Sequence, residues 1–117
     1  MADGILLTDV QPNIEFRETG ALFKTLIDTP ALKVVMINLK KGQRVDWHRA
    51  NVQISVFVER GVIQFGVRED GAEETHRMLP GMSITLKANL DHNLSAEQDS
   101  VVLVYKTPNP QSLLRLE

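Results

Sequence analysis

Residues 51–68 read Asn51-Val52-Gln53-Ile54-Ser55-Val56-Phe57-Val58-Glu59-Arg60-Gly61-Val62-Ile63-Gln64-Phe65-Gly66-Val67-Arg68, a β-rich run broken once by a turn dipeptide. Successive side chains of a strand point to opposite faces, so a strand over Asn51 to Glu59 places Val52, Ile54, Val56 and Val58 on one wholly apolar face. That face is expected to line a core. The other face carries Gln53, Ser55 and Phe57 and is only half polar, as in a strand covered on both sides; the simplest cover is another sheet or a second subunit. Arg60-Gly61 then turns the chain into Val62 to Arg68. The Asp70-Gly71 dipeptide beyond it takes positive φ readily and marks a hairpin.

Working outward, the same pattern repeats. Leu32 to Leu39 reads as a strand closed by Lys40-Lys41-Gly42, and Gln43 to His48 as the next. Glu73 to Leu79 runs into the turn pair Pro80-Gly81, and Met82 to Leu86, Leu90 to Ala96 and Val101 to Lys106 follow. Ile14 to Arg17 and Ala21 to Ile27 supply two further strands, about ten in all. No long stretch has helical period, which excludes a parallel α/β sheet and leaves an all-β barrel or sandwich. With no repeat, linker or low-complexity segment, residues 1–117 are expected to form a single domain. The tail Leu113-Leu114-Arg115-Leu116 is too apolar to be left in water and is expected to pack on the barrel or on a partner.

Composition narrows the functions. The 117 residues hold 13 Lys+Arg and 15 Asp+Glu, with a formal charge of -2 and no basic cluster, so neither nucleic acid nor a membrane surface is an expected partner. The absence of cysteine excludes a thiolate nucleophile and any Cys-ligated metal, leaving His, carboxylate or amide donors. The start Met1-Ala2-Asp3-Gly4-Ile5 has neither a basic nor an apolar leader region, and the expected compartment is the cytoplasm. No serine stands in a Gly-x-Ser-x-Gly setting, and there is no Gly-rich phosphate loop.

Two stretches carry a family resemblance. Leu39-Lys40-Lys41-Gly42-Gln43, then His48, then Val56 to Phe65 resembles the first motif of the cupins: Gly, five residues, His, one residue, His, three or four residues, Glu, six residues, Gly. Gly42 and His48 have that spacing, and Gly61 stands at the closing glycine. Leu79-Pro80-Gly81-Met82 followed by His92-Asn93-Leu94-Ser95-Ala96 resembles the second motif, with His92 at its histidine. The resemblance spans about Leu32 to Lys106 and implies a double-stranded β-helix, a jelly-roll barrel of two antiparallel sheets, usually homodimeric. It departs where metal-binding cupins keep their ligands: Ala50 replaces the second His, Ile54 falls at the Glu, and Lys87-Ala88-Asn89-Leu90-Asp91 lacks the family's Pro-x-Gly. This pattern is similar to that of small single-domain RmlC-like cupins with a degenerate metal motif, a group with no single activity.

The residues themselves leave several roles open. His92 alternates with Leu90 and Leu94, so its imidazole is either a core group bonded to a backbone carbonyl or a polar group presented to a ligand. His48 has the same two readings, and Trp47 beside it is a packed surface or interface residue. The leading expectation is a small-ligand-binding module: an apolar pocket of Ile54, Val56, Val58 and Leu90 oriented by His48 and His92, taking a neutral organic molecule or a small acid. Gln53 joins it if a one-residue bulge turns its amide inward.

The alternative is a metal-dependent oxygenase or isomerase in which His48, His92 and a third donor, Gln53 or Asp46, hold Fe, Mn, Ni or Zn. Asp46 qualifies by sharing strand parity with His48. Open catalytic sites normally have at least three protein ligands, so the third donor decides. A third reading, by resemblance to cupin-like sugar epimerases, makes His48 or His92 a general base paired with an acid such as Tyr105. His76 and the acidic cluster Glu69, Asp70, Glu73 and Glu74 are expected at the solvated surface.

Overall fold

The computed structural model describes residues 3–115, those from 113 to 115 as backbone alone. Nine strands form among them: β1 (Leu22–Thr29), β2 (Leu32–Leu39), β3 (Arg44–His48), β4 (Gln53–Arg60), β5 (Ile63–Glu69), β6 (Ala72–Met78), β7 (Ser83–Leu86), β8 (Asp91–Ala96) and β9 (Ser100–Thr107), followed by a short helix α1 (Pro110–Arg115). All pairings are antiparallel, in a five-stranded sheet of order β1-β2-β9-β4-β7 and a four-stranded sheet of order β3-β8-β5-β6. The two sheets face each other as a jelly-roll barrel.

The inward faces follow strand parity. Ile54, Val56 and Val58 of β4, Val102 and Val104 of β9 and Ile37 of β2 meet Ile63, Phe65 and Val67 of β5 and Leu94 and Ala96 of β8 in one cluster. The apolar face of residues 52–58 is therefore buried as expected, Val58 at 0% exposure. Each such side chain contributes about 1.5–3 kcal/mol of transfer free energy. Gly61, at φ +86, turns β4 into β5 so tightly that a methyl group there would overlap Ser100 Oγ and the Asp99 carbonyl.

The outer face of the five-stranded sheet has a cover of its own. Met36, Val101 and Leu103 are buried beneath Val10, Ile14, Phe16, Leu26 and Phe57. Part of the cover expected on the Phe57 side thus comes neither from another sheet nor from a subunit, because the segment ahead of β1 packs on the same small cluster as Phe57. Nor does Ile14 to Arg17 form the expected strand. After a 3-10 turn at Gln11–Asn13 it runs irregularly, with Ile14 and Phe16 half-buried and Glu15 and Arg17 exposed. Its alternation is satisfied by packing on a face and not by pairing at an edge. The apolar tail from Leu113 to Leu116 lies outside the described side chains. Among the described residues no helix is long and apolar enough to cross a membrane.

Candidate functional site

One departure from regular strand geometry creates the site. Val45 of β3 pairs with Leu94 of β8, yet His48, three residues on, pairs with His92, two residues back along β8. The extra residue is a bulge, and it puts His48 on the same side as the core-packed Val45. Asp46 Oδ1 accepts from the Trp47 backbone N–H at 2.8 Å, and the Asp46 carbonyl accepts from His48 Nδ1 at 2.7 Å, so one side-chain and one main-chain oxygen of Asp46 serve the bulge. On the outer side Trp47 lies beneath the Arg68 guanidinium, 4.1 Å from its ring centroid, and fits against Gly66. Trp47 anchors the outside of the bulge while His48 turns inward.

His92 is reached from the other side. It follows Leu94 and Ala96 along the inner face of β8, is 4% exposed, and stacks on Phe65 with ring centroids 5.8 Å apart. His48 meets it edge-on at 4.2 Å. Each imidazole has its Nδ1 on a backbone carbonyl, His48 on Asp46 and His92 on Leu90 at 2.9 Å. A carbonyl only accepts, so Nδ1 carries the hydrogen in both rings and Nε2 remains an unpaired acceptor when the ring is neutral. Burial first, and then the proximity of His48 and Lys106, holds the His92 pKa below its usual value against the pull of the Leu90 carbonyl, so the neutral form prevails near pH 7.

The two rings open on a cavity of about 360 Å³ at one end of the barrel. Its walls are mostly apolar, from Ile37, Ile54, Val56, Phe65, Leu94 and Val104, and its polar lining includes His48, His92, Arg49 and Lys106. Asn89, at φ +66, shapes the rim by donating its N–H to the Ala50 carbonyl at 2.7 Å. Beside the rim, Asp91 binds Arg49 at 2.7 Å and Arg68 at 3.3 Å, and the Arg49 hydrogen bond, seconded by Arg68, holds its carboxyl below the usual range.

Of the residues singled out in the sequence, His48, His92, Ile54 and Val56 converge on this cavity, while Gln53, Val58, Leu90 and Asp46 stand outside its lining. The bulge invoked for Gln53 occurs in β3 instead. From Gln53 to Val58 the pairing of β4 with β9 is regular, so Gln53 stays exposed and Ile54 keeps the inward place. Val58 lies deeper, in the packed core. Leu90 precedes β8 and contributes its carbonyl to His92, its half-buried side chain packing on the core. His76 and the acidic hairpin lie at the surface.

The same placements test a metal centre. Among the described residues no group of three His, Asp or Glu side chains could hold an ion. Ala50 presents a methyl where a second histidine would stand, and neither proposed third donor reaches the pair. The donor set therefore does not fit a three-ligand metal site. Tyr105 also falls on the wrong side: it is exposed beyond the inward Val104 and cannot serve as the acid partner of an imidazole in the cavity.

Lys106 escaped the sequence reading. It pairs directly with Ile54 across β4 and β9, so it shares that residue's inward face and lines the cavity. The signal was its parity with Val102 and Val104.

Solved structures share this architecture. A double-stranded β-helix protein from Klebsiella pneumoniae superposes with a TM-score of 0.78 at 13% identity, covering 88% of this chain and 90% of that one. An RmlC-like cupin from Desulfovibrio desulfuricans gives 0.74 at 21% identity over 92% and 97%. The chain has the cupin fold. A third likeness is to KdgF from Halomonas sp., at 0.67 and 25% identity over 78% of this chain and 81% of that one. No family sequence model and no curated protein matches the chain. These likenesses establish the cupin barrel and bring no activity with them.

Proposed function

We propose that this cupin-fold protein binds a small organic molecule inside its barrel, with His48 and His92 orienting the ligand. The observation that carries the reading is the imidazole pair: two rings 4.2 Å apart, each fixed by a backbone carbonyl, presenting unpaired Nε2 acceptors to a mostly apolar cavity. A concave, largely apolar site with few placed polar groups is the usual form of a small-molecule site. Histidines serving only as core packing would not leave two acceptors facing a void. The exposed side chains of Ile5, Leu6 and Leu7, 60–79% accessible, support the homodimer that we also propose, and light scattering at about twice 13.1 kDa checks it.

The test is a thermal-shift screen of small organic compounds against the wild type, with hits mapped by amide shifts in NMR. Hits should perturb Ile54, Phe65 and His92 and bind about tenfold more weakly to His48→Ala or His92→Ala. Undiminished binding to both folded variants, or hits that map elsewhere, would overturn the reading. Near-stoichiometric metal in the purified protein, lost in either variant, would instead favour a metal-dependent enzyme.

A further inference from the structure

Lys106 is the one cation in the cavity lining that no described residue neutralises. Arg49, the other, is engaged by Asp91 at 2.7 Å. Lys106 has no hydrogen bond or ion pair among the described residues, and the strand opposite gives it Lys33 as a neighbour, whose ammonium donates to Gln111 Oε1 at 3.2 Å. The lysine is half-buried on a wall shared with Ile54 and Val104. Burial, and then Lys33, lowers its pKa, as expected of a cation lacking a counter-charge. An anion entering the cavity would supply that counter-charge. The imidazoles add a second requirement: their free Nε2 atoms accept, so the ligand must donate.

We infer that the cavity takes a small organic acid bearing a hydroxyl group, its carboxylate on the Lys106 ammonium, its hydroxyl donating to Nε2 of His48 or His92, and its carbon skeleton against Ile54, Val56 and Phe65. This deepens the proposed function and rests on it. The remaining charges at that end agree: Lys33 and Lys106 stand side by side, and the Asp91 carboxylate is already satisfied by two arginines.

The experiment is an NMR titration of the full chain with a panel of branched and aromatic hydroxy acids, each beside its neutral amide and the acid lacking the hydroxyl. 2-Hydroxy-4-methylpentanoate, its amide and 4-methylpentanoate form one such triplet. At least one hydroxy acid should shift the amides of Ile54, His92 and Lys106 and bind about tenfold or more tightly than its two analogues. Lys106→Met should lower the affinity for that acid by about tenfold to a hundredfold while leaving the amide's unchanged, and Lys106→Arg, which keeps the cation, should retain most of it. Amides that bind as well as their acids, or a folded Lys106→Met variant that loses nothing, would overturn the assignment and leave the cavity reading standing. So would a panel that fails to bind while neutral compounds from the wider screen map to the cavity. Failure of both panel and screen would remove the underlying reading as well.

Discussion

The two ends of the barrel are built from the same strands and end in opposite chemistry. Along the inner face of β9 the side chains run Val102, Val104, Lys106; along β8 they run Ala96, Leu94, His92; along β4 they run Val58, Val56, Ile54. At the first end Val58, Val102, Ile63 and Leu39 are all 0% exposed, and Gly61 lets the β4–β5 turn close against Ser100 without a gap. At the other end the ladder opens on a void of about 360 Å³ rimmed by two imidazoles and an amine. Two to four residues along one strand separate close packing from a polar cavity. Cohesion is concentrated where the ladder closes, and the open end keeps polar groups that add little to it.

The widest break in that contrast should come from the closed end. Gly61→Ala forces a side chain into positive φ and into the Ser100 and Asp99 backbone, and should cost about 2–6 kcal/mol. Urea denaturation measures it; a loss below about 1 kcal/mol would mean that the turn yields and the closed end is not rigid. Truncations at matched positions sharpen the contrast. Ile63→Ala removes a fully buried side chain among packed neighbours and should cost about 2–5 kcal/mol. Ile54→Ala enlarges a cavity that already exists, so only its transfer term of about 1.5–3 kcal/mol is at stake. Equal losses at the two sites would erase the distinction between the ends.

The closed end was legible in the sequence and the open end only in part, for a physical reason. Apolar alternation in Asn51 to Glu59 and the Gly61 and Asp70-Gly71 turns report covered faces and positive φ directly, so β4, β5 and the hairpin that follows them could be read to within one or two residues at their ends. The strand Leu32 to Leu39 was legible to the residue. Parity fails at a bulge, because one extra residue exchanges the faces of everything after it. Nothing in Val45-Asp46-Trp47-His48 announces which residue is extra. Reading β3 as regular made Asp46 a partner of His48, and placing the bulge at Gln53 made that amide a ligand. Lys106 was missed for the converse reason: both faces of Val101 to Lys106 are apolar, so the strand alone does not say which looks inward. Only its pairing with Ile54 decides. Ile14 to Arg17 shows the remaining ambiguity, since a segment lying over a sheet alternates as a strand does.

Buried His92 makes the open end sensitive to acid. His92 has its pKa lowered from 6.5 by burial, so as pH falls below that value the unfolded chain takes up a proton before the folded one does. Stability contributed by keeping this ring neutral is present above pH 6.5 and is lost on acidification through the window beneath it. The slope from this one group reaches at most about 1.4 kcal/mol per pH unit. Denaturation midpoints of wild type and His92→Gln, compared between neutral and mildly acidic pH, isolate it. Parallel pH profiles would show that protonation of His92 does not oppose folding.

Lys106 should give the smallest effect, with the sign reversed from the truncations. Its folded pKa is lowered from 10.5, chiefly by burial and then by Lys33, so the charged amine opposes folding at every pH below its folded pKa, and the penalty fades as pH rises toward 10.5. Lys106→Met keeps the aliphatic stem against Ile54 and Val104 and removes the charge. The ligand-free variant should therefore be more stable than wild type by about 0.5–2 kcal/mol at neutral pH, with the advantage shrinking in alkali. A single substitution that raises stability while lowering affinity for an acid would show that the cation is kept for binding and not for the fold. A variant less stable than wild type at neutral pH would mean that the amine already has a counter-charge in the folded protein, and the open end would then owe its cohesion to polar contacts after all.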